Sequence, residues 1–302
     1  MIDAPMLVGF AAAAIRVSTP LGLAAIGETI AERAGVLNLG IEGAMLAGAF
    51  CAALGASHDG VAVGVLVAAI GGLLVALAFA GIAVAARADQ VIAGTAITLG
   101  ATGLTGLLAQ RLLATPNLSL PILPVIPIPL LGDIPGVGGV FFRQTVLTYI
   151  GYLLVPLAAW LVWRTRFGLQ LRASGESPAA ALAAGVPVGW IRSIAVLIGG
   201  TCAGLAGAAL VLAQVGTFTE RMTAGRGFIA IAIVALGRWN PWGVGGAAIL
   251  FGGATALQYT FQAAGSRLPY QLFIALPYLL ALSALGLATG RHRGPAALGQ
   301  PH

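Results

Sequence analysis

Eight apolar runs, 6–26, 36–57, 61–86, 91–113, 144–163, 191–214, 243–263 and 270–289, dominate this chain. Each is near the roughly 20 residues that an α-helix needs to cross a bilayer core. In lipid every backbone donor and acceptor must be met internally, so such runs fold as helices. Only 8% of the 302 residues are charged, against about 25% in a soluble domain. That is too little polar surface to cover a soluble globule. The fold class expected is therefore all-α, a polytopic transmembrane bundle of eight to nine spans. The 44 glycines fit close helix packing in lipid.

One apolar stretch is too short. Residues 226–237 cover only about 18 Å of a ~30 Å core. This predicts a half-helix or re-entrant element, which lipid tolerates only inside protein or along a cavity.

All fifteen basic residues are Arg. Without Lys there is no phosphate-binding GxxxxGK[ST] loop and no Schiff-base chemistry. Zinc-protease, CxxC and GxSxG motifs are absent too, so nothing reads as a catalytic site. Cys51 and Cys202 both lie in apolar runs and read as small buried hydrophobes. The net charge of +6 comes from loop arginines and reads as membrane orientation, with no nucleic-acid partner. Arg87, Arg164, Arg166, Arg172, Arg192, Arg238, Arg291 and Arg293 fall consistently on one side. The positive-inside rule then puts the N-terminus outside and the 291–302 tail in the cytoplasm. Arg111, Arg143, Arg221, Arg226 and Arg267 form a minority on the other side.

The longest basic polar stretch is 164–190. Within it Ser177-Pro178 opens an Ala-rich run that stops at Gly185, with Pro187 beyond. Ser accepts bonds from orphan helix amides, Pro suits the first turn, and Gly ends helices. A short capped helix on the cytoplasmic face is what a pore needs if a soluble motor is to push on it. Glu176, Ser177, Pro178, Ala181 and Gly185 are the candidate coupling residues. The 114–143 loop carries six prolines between apolar residues, so it should be extended and stiff rather than helical. It is either a passive surface loop or an outer gate that docks a partner.

Polar residues within the runs are candidate path residues. Glu28, Glu32 and Arg33 share a helical face and read as an interfacial ion-pair patch. Asn38 and Glu42 lie one turn apart at the start of a run, either lining a path or bonding a neighbouring broken helix. Thr95, Thr98, Thr102 and Thr105 form a stripe; each alone would bond back to its own helix, whereas four together suggest a polar lumen. Gln214, Gln258 and Tyr259 offer amides and an aromatic face to a planar solute, or serve as packing glue.

Three blocks carry a resemblance: GETIAERAGVLNLGIEGAMLAGAF (27–50), FGLQLRASGESPAAALAAGVPV (167–188) and GRGFIAIAIVALGRWNPWGVGGAAILFG (225–252). They cover about a quarter of the chain and resemble the membrane permease subunit of bacterial nucleoside ABC importers. The ribose and branched-chain amino-acid permeases stand close to that group. The resemblance implies a single permease domain over 1–290. It implies a second, homologous permease chain, cytoplasmic ATPase subunits docking on 164–190, and a periplasmic or lipid-anchored binding protein. No cofactor is expected in this chain, with ATP-Mg held by the partner subunits. The setting would be a bacterial cytoplasmic membrane. A sugar or amino-acid permease of the same superfamily is the alternative. A stand-alone carrier would need its own coupling site, for which only Glu42 is available.

Overall fold

In the computed structural model, the residues described are 4–113, 119–263, the isolated positions 275, 279, 282, 283 and 286, and 294–300. Helices dominate them. α1 (Ala4–Arg33) is followed by α2 (Ile41–Asp59) and by α3 (Val61–Phe79), which ends in π-helical turns over Ala80–Ala85. Then come α4 (Gln90–Leu112), β1 (Val125–Pro127), α5 (Val137–Phe141), β2 (Arg143–Thr145) and α6 (Val146–Arg164). α7 (Arg166–Glu176), α8 (Pro178–Ala183), α9 (Val188–Leu210), α10 (Arg226–Leu236) and α11 (Pro241–Ala263) complete the order. α9 runs on into π-helical turns over Val211–Val215.

Among the described residues five helices are long and apolar enough to cross a membrane: Leu7–Arg33, Val61–Ala85, Gln90–Leu112, Val146–Arg164 and Val188–Val215. The runs at 36–57 and 243–263 are also helical, as α2 and α11. The run at 270–289 lies almost wholly outside the described residues. α10, with 11 residues, is the short apolar helix expected at 226–237.

α9 is the hub. It packs against α1, α2 and α3, while α11 packs along α1. Glycine makes this closeness possible. A β-carbon on Gly204 would sit 2.2 Å from the Ala68 carbonyl oxygen, and one on Gly72 would sit 2.1 Å from that of Gly200. In lipid, where helices gain nothing by hiding apolar surface, such backbone approach is what holds them together.

Side chains cap the starts of two helices. Asp89 accepts from the amides of Val91 and Ile92 at 2.9 Å, opening α4. Thr165 accepts from Gly168 N at 2.9 Å, opening α7. The 119–145 segment is held by an antiparallel β1–β2 pair in which Val125 faces Thr145. The expectation of an extended, non-helical loop therefore holds only in part, since α5 forms in it. Its helix begins after Pro135, where the prolines stop removing donors. Positions 114–118 lie outside the described residues.

The segment 294–300 docks at the end that also carries α7 and α8. Ala297 N donates to Gly175 O at 2.9 Å and Gly299 N to Gly35 O at 3.2 Å. The Gln300 carbonyl accepts from Gln90 Nε2 and from Arg192 Nη1. Residues 291–293 and 301–302 of the expected tail lie outside the described residues.

Candidate functional site: a polar cavity beside a half-helix

The cavity begins with a proline. Pro20 lies inside α1 and has no amide hydrogen, so it cannot donate to the carbonyl four residues back, on Arg16. Gln214, where α9 changes to π turns, fills the gap: its Nε2 lies 2.8 Å from the Arg16 oxygen. The helix thus continues through a proline with a side-chain amide from another span in place of the missing bond.

Around this bond is a cavity of about 460 Å³, lined among others by Arg16, Gln214, Thr219, Met222, Arg226 and Tyr259. Its volume falls within the ~300–1,000 Å³ of small-molecule sites. Two arginines reach it. No ion pair involves either among the described residues, where Arg143–Asp133 is the one salt bridge. Arg226 donates through Nη1 to the carbonyls of Met222 and Thr223, at 2.9 and 3.2 Å. Arg16 belongs to a span, and a cation there marks a solute or ion pathway more often than a structural role. The sequence reading gave Arg16 no part, although a lone Arg inside the run 6–26 was the available signal.

Glu42 does something else. Its Oε1 accepts from Gly225 N at 2.8 Å and its Oε2 from Gly227 N at 2.6 Å. Both belong to the start of α10, with Gly225 left-handed at φ 82°. A carboxylate from α2 therefore meets the orphan amides and the positive end of the half-helix. Of the two readings of Glu42, path lining or a bond to a broken helix, the geometry gives the second.

Asn38 is also engaged structurally. Its Oδ1 accepts from Gly40 N at 3.0 Å, a local turn that leads into α2. Its backbone N–H donates to Glu28 Oε1 at 3.0 Å. Glu28 and Glu32 are buried, 0% and 1% exposed, so the expected interfacial ion-pair patch is corrected. Glu32 Oε2 accepts from Trp239 Nε1. Arg33 donates from Nε to the Trp239 carbonyl at 2.7 Å and lies over the Trp163 ring. The return at 34–40 and the turn at 237–240 fold over this end of α1 and exclude water from the two carboxyls.

The threonine stripe divides. Thr95, Thr102 and Thr105 bond to carbonyls of their own helix. Thr98 Oγ1 reaches Leu39 O at 3.1 Å and ties α4 to the entry of α2. Of the expected path residues, the cavity gathers Gln214 and Tyr259. Asn38, Glu42, Thr95, Thr98 and Gln258 do not line it.

The 164–190 loop holds two helices, α7 and α8, where the sequence suggested one. α8 begins at Pro178 and ends as expected. Gly185 has φ 79°. Its amide donates to Leu182 O, and Val186 N donates to Ala181 O, both at 2.9 Å, a complete glycine stop. Ser177 differs: its side chain makes no capping bond, and Pro178 at the first helical position leaves one fewer orphan donor. Glu176 and Ser177 are exposed, whereas Ala181 faces inward. Leu182 and Trp190 project outward, 55% and 68% exposed.

The family model described as "Branched-chain amino acid transport system / permease component" matches residues 10–285. The guanosine ABC transporter permease protein of Bacillus subtilis is 35% identical over 302 residues, covering 94% of this chain and 93% of that one. The nucleoside ABC transporter permease protein of Lactococcus lactis is 34% identical, covering 93% and 92%. The putative glucose ABC transporter permease protein of Haloferax volcanii is 39% identical, covering 84% and 78%. No solved structure matches the chain.

Proposed function

The chain belongs to the permease-component family of branched-chain amino acid transport systems, and on that premise we propose that it is the membrane subunit of an ATP-driven nucleoside importer. The observation that carries the nucleoside reading is the match of two permeases named for guanosine and nucleosides over more than nine-tenths of this chain. The cavity supports it chemically. An aromatic ring, a side-chain amide, a hydroxyl and guanidinium groups suit a planar base and a ribose.

In this reading eight full-length runs cross the cytoplasmic membrane, and the half-helix α10, followed by Trp239 against Arg33 and Glu32, completes a ninth passage. The arginine distribution puts the 164–190 loop and the 294–300 segment inside and the 119–145 segment outside. A binding protein, soluble or lipid-anchored, delivers the nucleoside at the outer end. A second, homologous permease completes the path. ATP with Mg²⁺ is hydrolysed by cytoplasmic partner subunits, since this chain has no Lys with which to build a phosphate-binding loop. α8 receives their motion through Leu182 and its neighbours.

The test is uptake of labelled nucleoside by a host lacking its own nucleoside importers, with and without this chain beside its partner subunits. Uptake that depends on the chain and on ATP supports the proposal. Uptake of glucose or ribose with no competition from nucleosides replaces it with a sugar permease, the reading favoured by the relative named for glucose.

A further inference from the structure

The nucleoside reading leaves open which bases the cavity accepts, and the inference here rests on that reading. Both charged residues lining the cavity are arginines, Arg16 from α1 and Arg226 from α10, and among the described residues no acid lines it. Two acids close in sequence or fold to α10 are engaged elsewhere. Both carboxylate oxygens of Glu42 accept from the amides of Gly225 and Gly227. Glu220 accepts from Gln110 Nε2 at 3.0 Å. Among the described residues Arg16 has no side-chain partner. Arg226 is steadied through Nη1 alone, by the carbonyls of Met222 and Thr223. A solute entering from the 216–225 side therefore meets donors that lack acceptors.

Gln214 restricts the choice further. One of its two Nε2 hydrogens is used on the Arg16 carbonyl, and the oxygen of the same amide remains as an acceptor. Tyr259, on another helix, brings a ring to the same cavity. The matching ligand is a flat ring that carries acceptors in its plane with a donor beside them. A 6-keto purine has that pattern. Hypoxanthine and guanine place O6 and N7 on one edge, which a guanidinium fork can bind bidentately, with N1–H adjacent. Adenine replaces O6 with an amino group, which sets donor against donor.

We propose that Arg16 and Arg226 make this cavity selective for nucleosides of 6-keto purines (inosine, guanosine) over adenosine. The two arginines determine specificity, Gln214 orients the acceptor side, and Tyr259 stacks on the base.

The test uses the transporter assembled with its partner subunits in proteoliposomes, and measures labelled inosine uptake against unlabelled guanosine, adenosine and inosine monophosphate. Guanosine should compete roughly tenfold or more better than adenosine, as expected for one good bidentate pair. Arg16→Gln and Arg226→Gln should each bring that ratio toward one. Arg16→Lys and Arg226→Lys, which keep the charge and lose the fork, should recover part of it only. Because the readout is a ratio, partial loss of assembled protein does not mimic the effect. Equal competition by guanosine and adenosine in the wild type overturns the inference, as does an unchanged ratio in both Gln variants. Stronger competition by the monophosphate overturns it too, because the cations would then serve a phosphate. A wild-type transporter that carries no nucleoside overturns the transport reading itself.

Discussion

Glu42 Oε2 lies 2.6 Å from the amide nitrogen of Gly227, and a β-carbon at position 227 would lie equally close, 2.6 Å, to the Glu42 Cα. The two residues are 185 positions apart. The acid of one helix is thus the cap of another, and the glycine is what lets it come near enough. Glu42→Gln keeps the size, loses the charge at the helix start and turns one acceptor into a donor. It should lower stability by about 1–2 kcal/mol. Gly227→Ala should do at least as much through steric conflict. Thermal unfolding of the purified protein in detergent checks both, and a midpoint unchanged in either variant removes Glu42 as the cap of α10.

The Gln214–Arg16 bond makes a different kind of prediction, a rescue. Gln214→Leu leaves the Arg16 carbonyl without its donor and should cost about 0.5–1.5 kcal/mol. Pro20→Ala supplies the helix's own amide at that carbonyl. In a Pro20→Ala background the Gln214→Leu change should therefore cost less than alone. A double-mutant cycle on detergent unfolding midpoints measures the difference. Strict additivity would mean that the amide does not stand in for the proline.

Coupling should pass through Leu182 rather than Ala181. Ala181 is 4% exposed and packs inward, so Ala181→Asp damages the fold of α8 and says little about coupling. Leu182→Glu changes an outward side chain. It should leave the protein in the membrane and its partners assembled, yet reduce ATP-driven uptake at least tenfold, as the loss of a buried Leu contact worth ~1.5–3 kcal/mol would. Normal uptake in that variant would remove α8 as the docking element.

Orientation is checked with an impermeant thiol reagent on whole cells. The natural cysteines, Cys51 and Cys202, are half-buried and buried, and are replaced by Ala first. A cysteine at Gly189, where a β-carbon meets nothing within 4 Å, should be protected. One at Leu130, 88% exposed in the 119–145 segment, should label. The opposite pattern inverts the topology.

Helices over seven of the eight apolar runs, five of them long and apolar enough to span, were legible because lipid imposes a length and forbids unmet backbone groups. The half-helix was legible for the same reason, since twelve apolar residues cannot cross. The roles of the polar residues were much less so. Glu28 and Glu32 read as part of an interfacial ion-pair patch because nothing in their spacing says that 34–40 folds back over them. Gln214 and Tyr259 stood out as polar groups in apolar runs and do reach the cavity. Gln258, adjacent to Tyr259 and equally conspicuous, does not, because neighbours on a helix point about 100° apart. Arg16 was the residue most in need of explanation, and only the tertiary bond from Gln214 to its carbonyl, left open by Pro20, shows why the chain around it has this form.

The docked 294–300 segment has a consequence for how the molecule is made. It leaves the ribosome after every helix described above. Its partners, Gly35, Gln90, Gly175 and Arg192, belong to parts of the chain synthesised long before. Until it arrives, the Gly35 and Gly175 carbonyls and the Arg192 guanidinium lack those partners, so this end of the protein can be finished only after translation has passed residue 300.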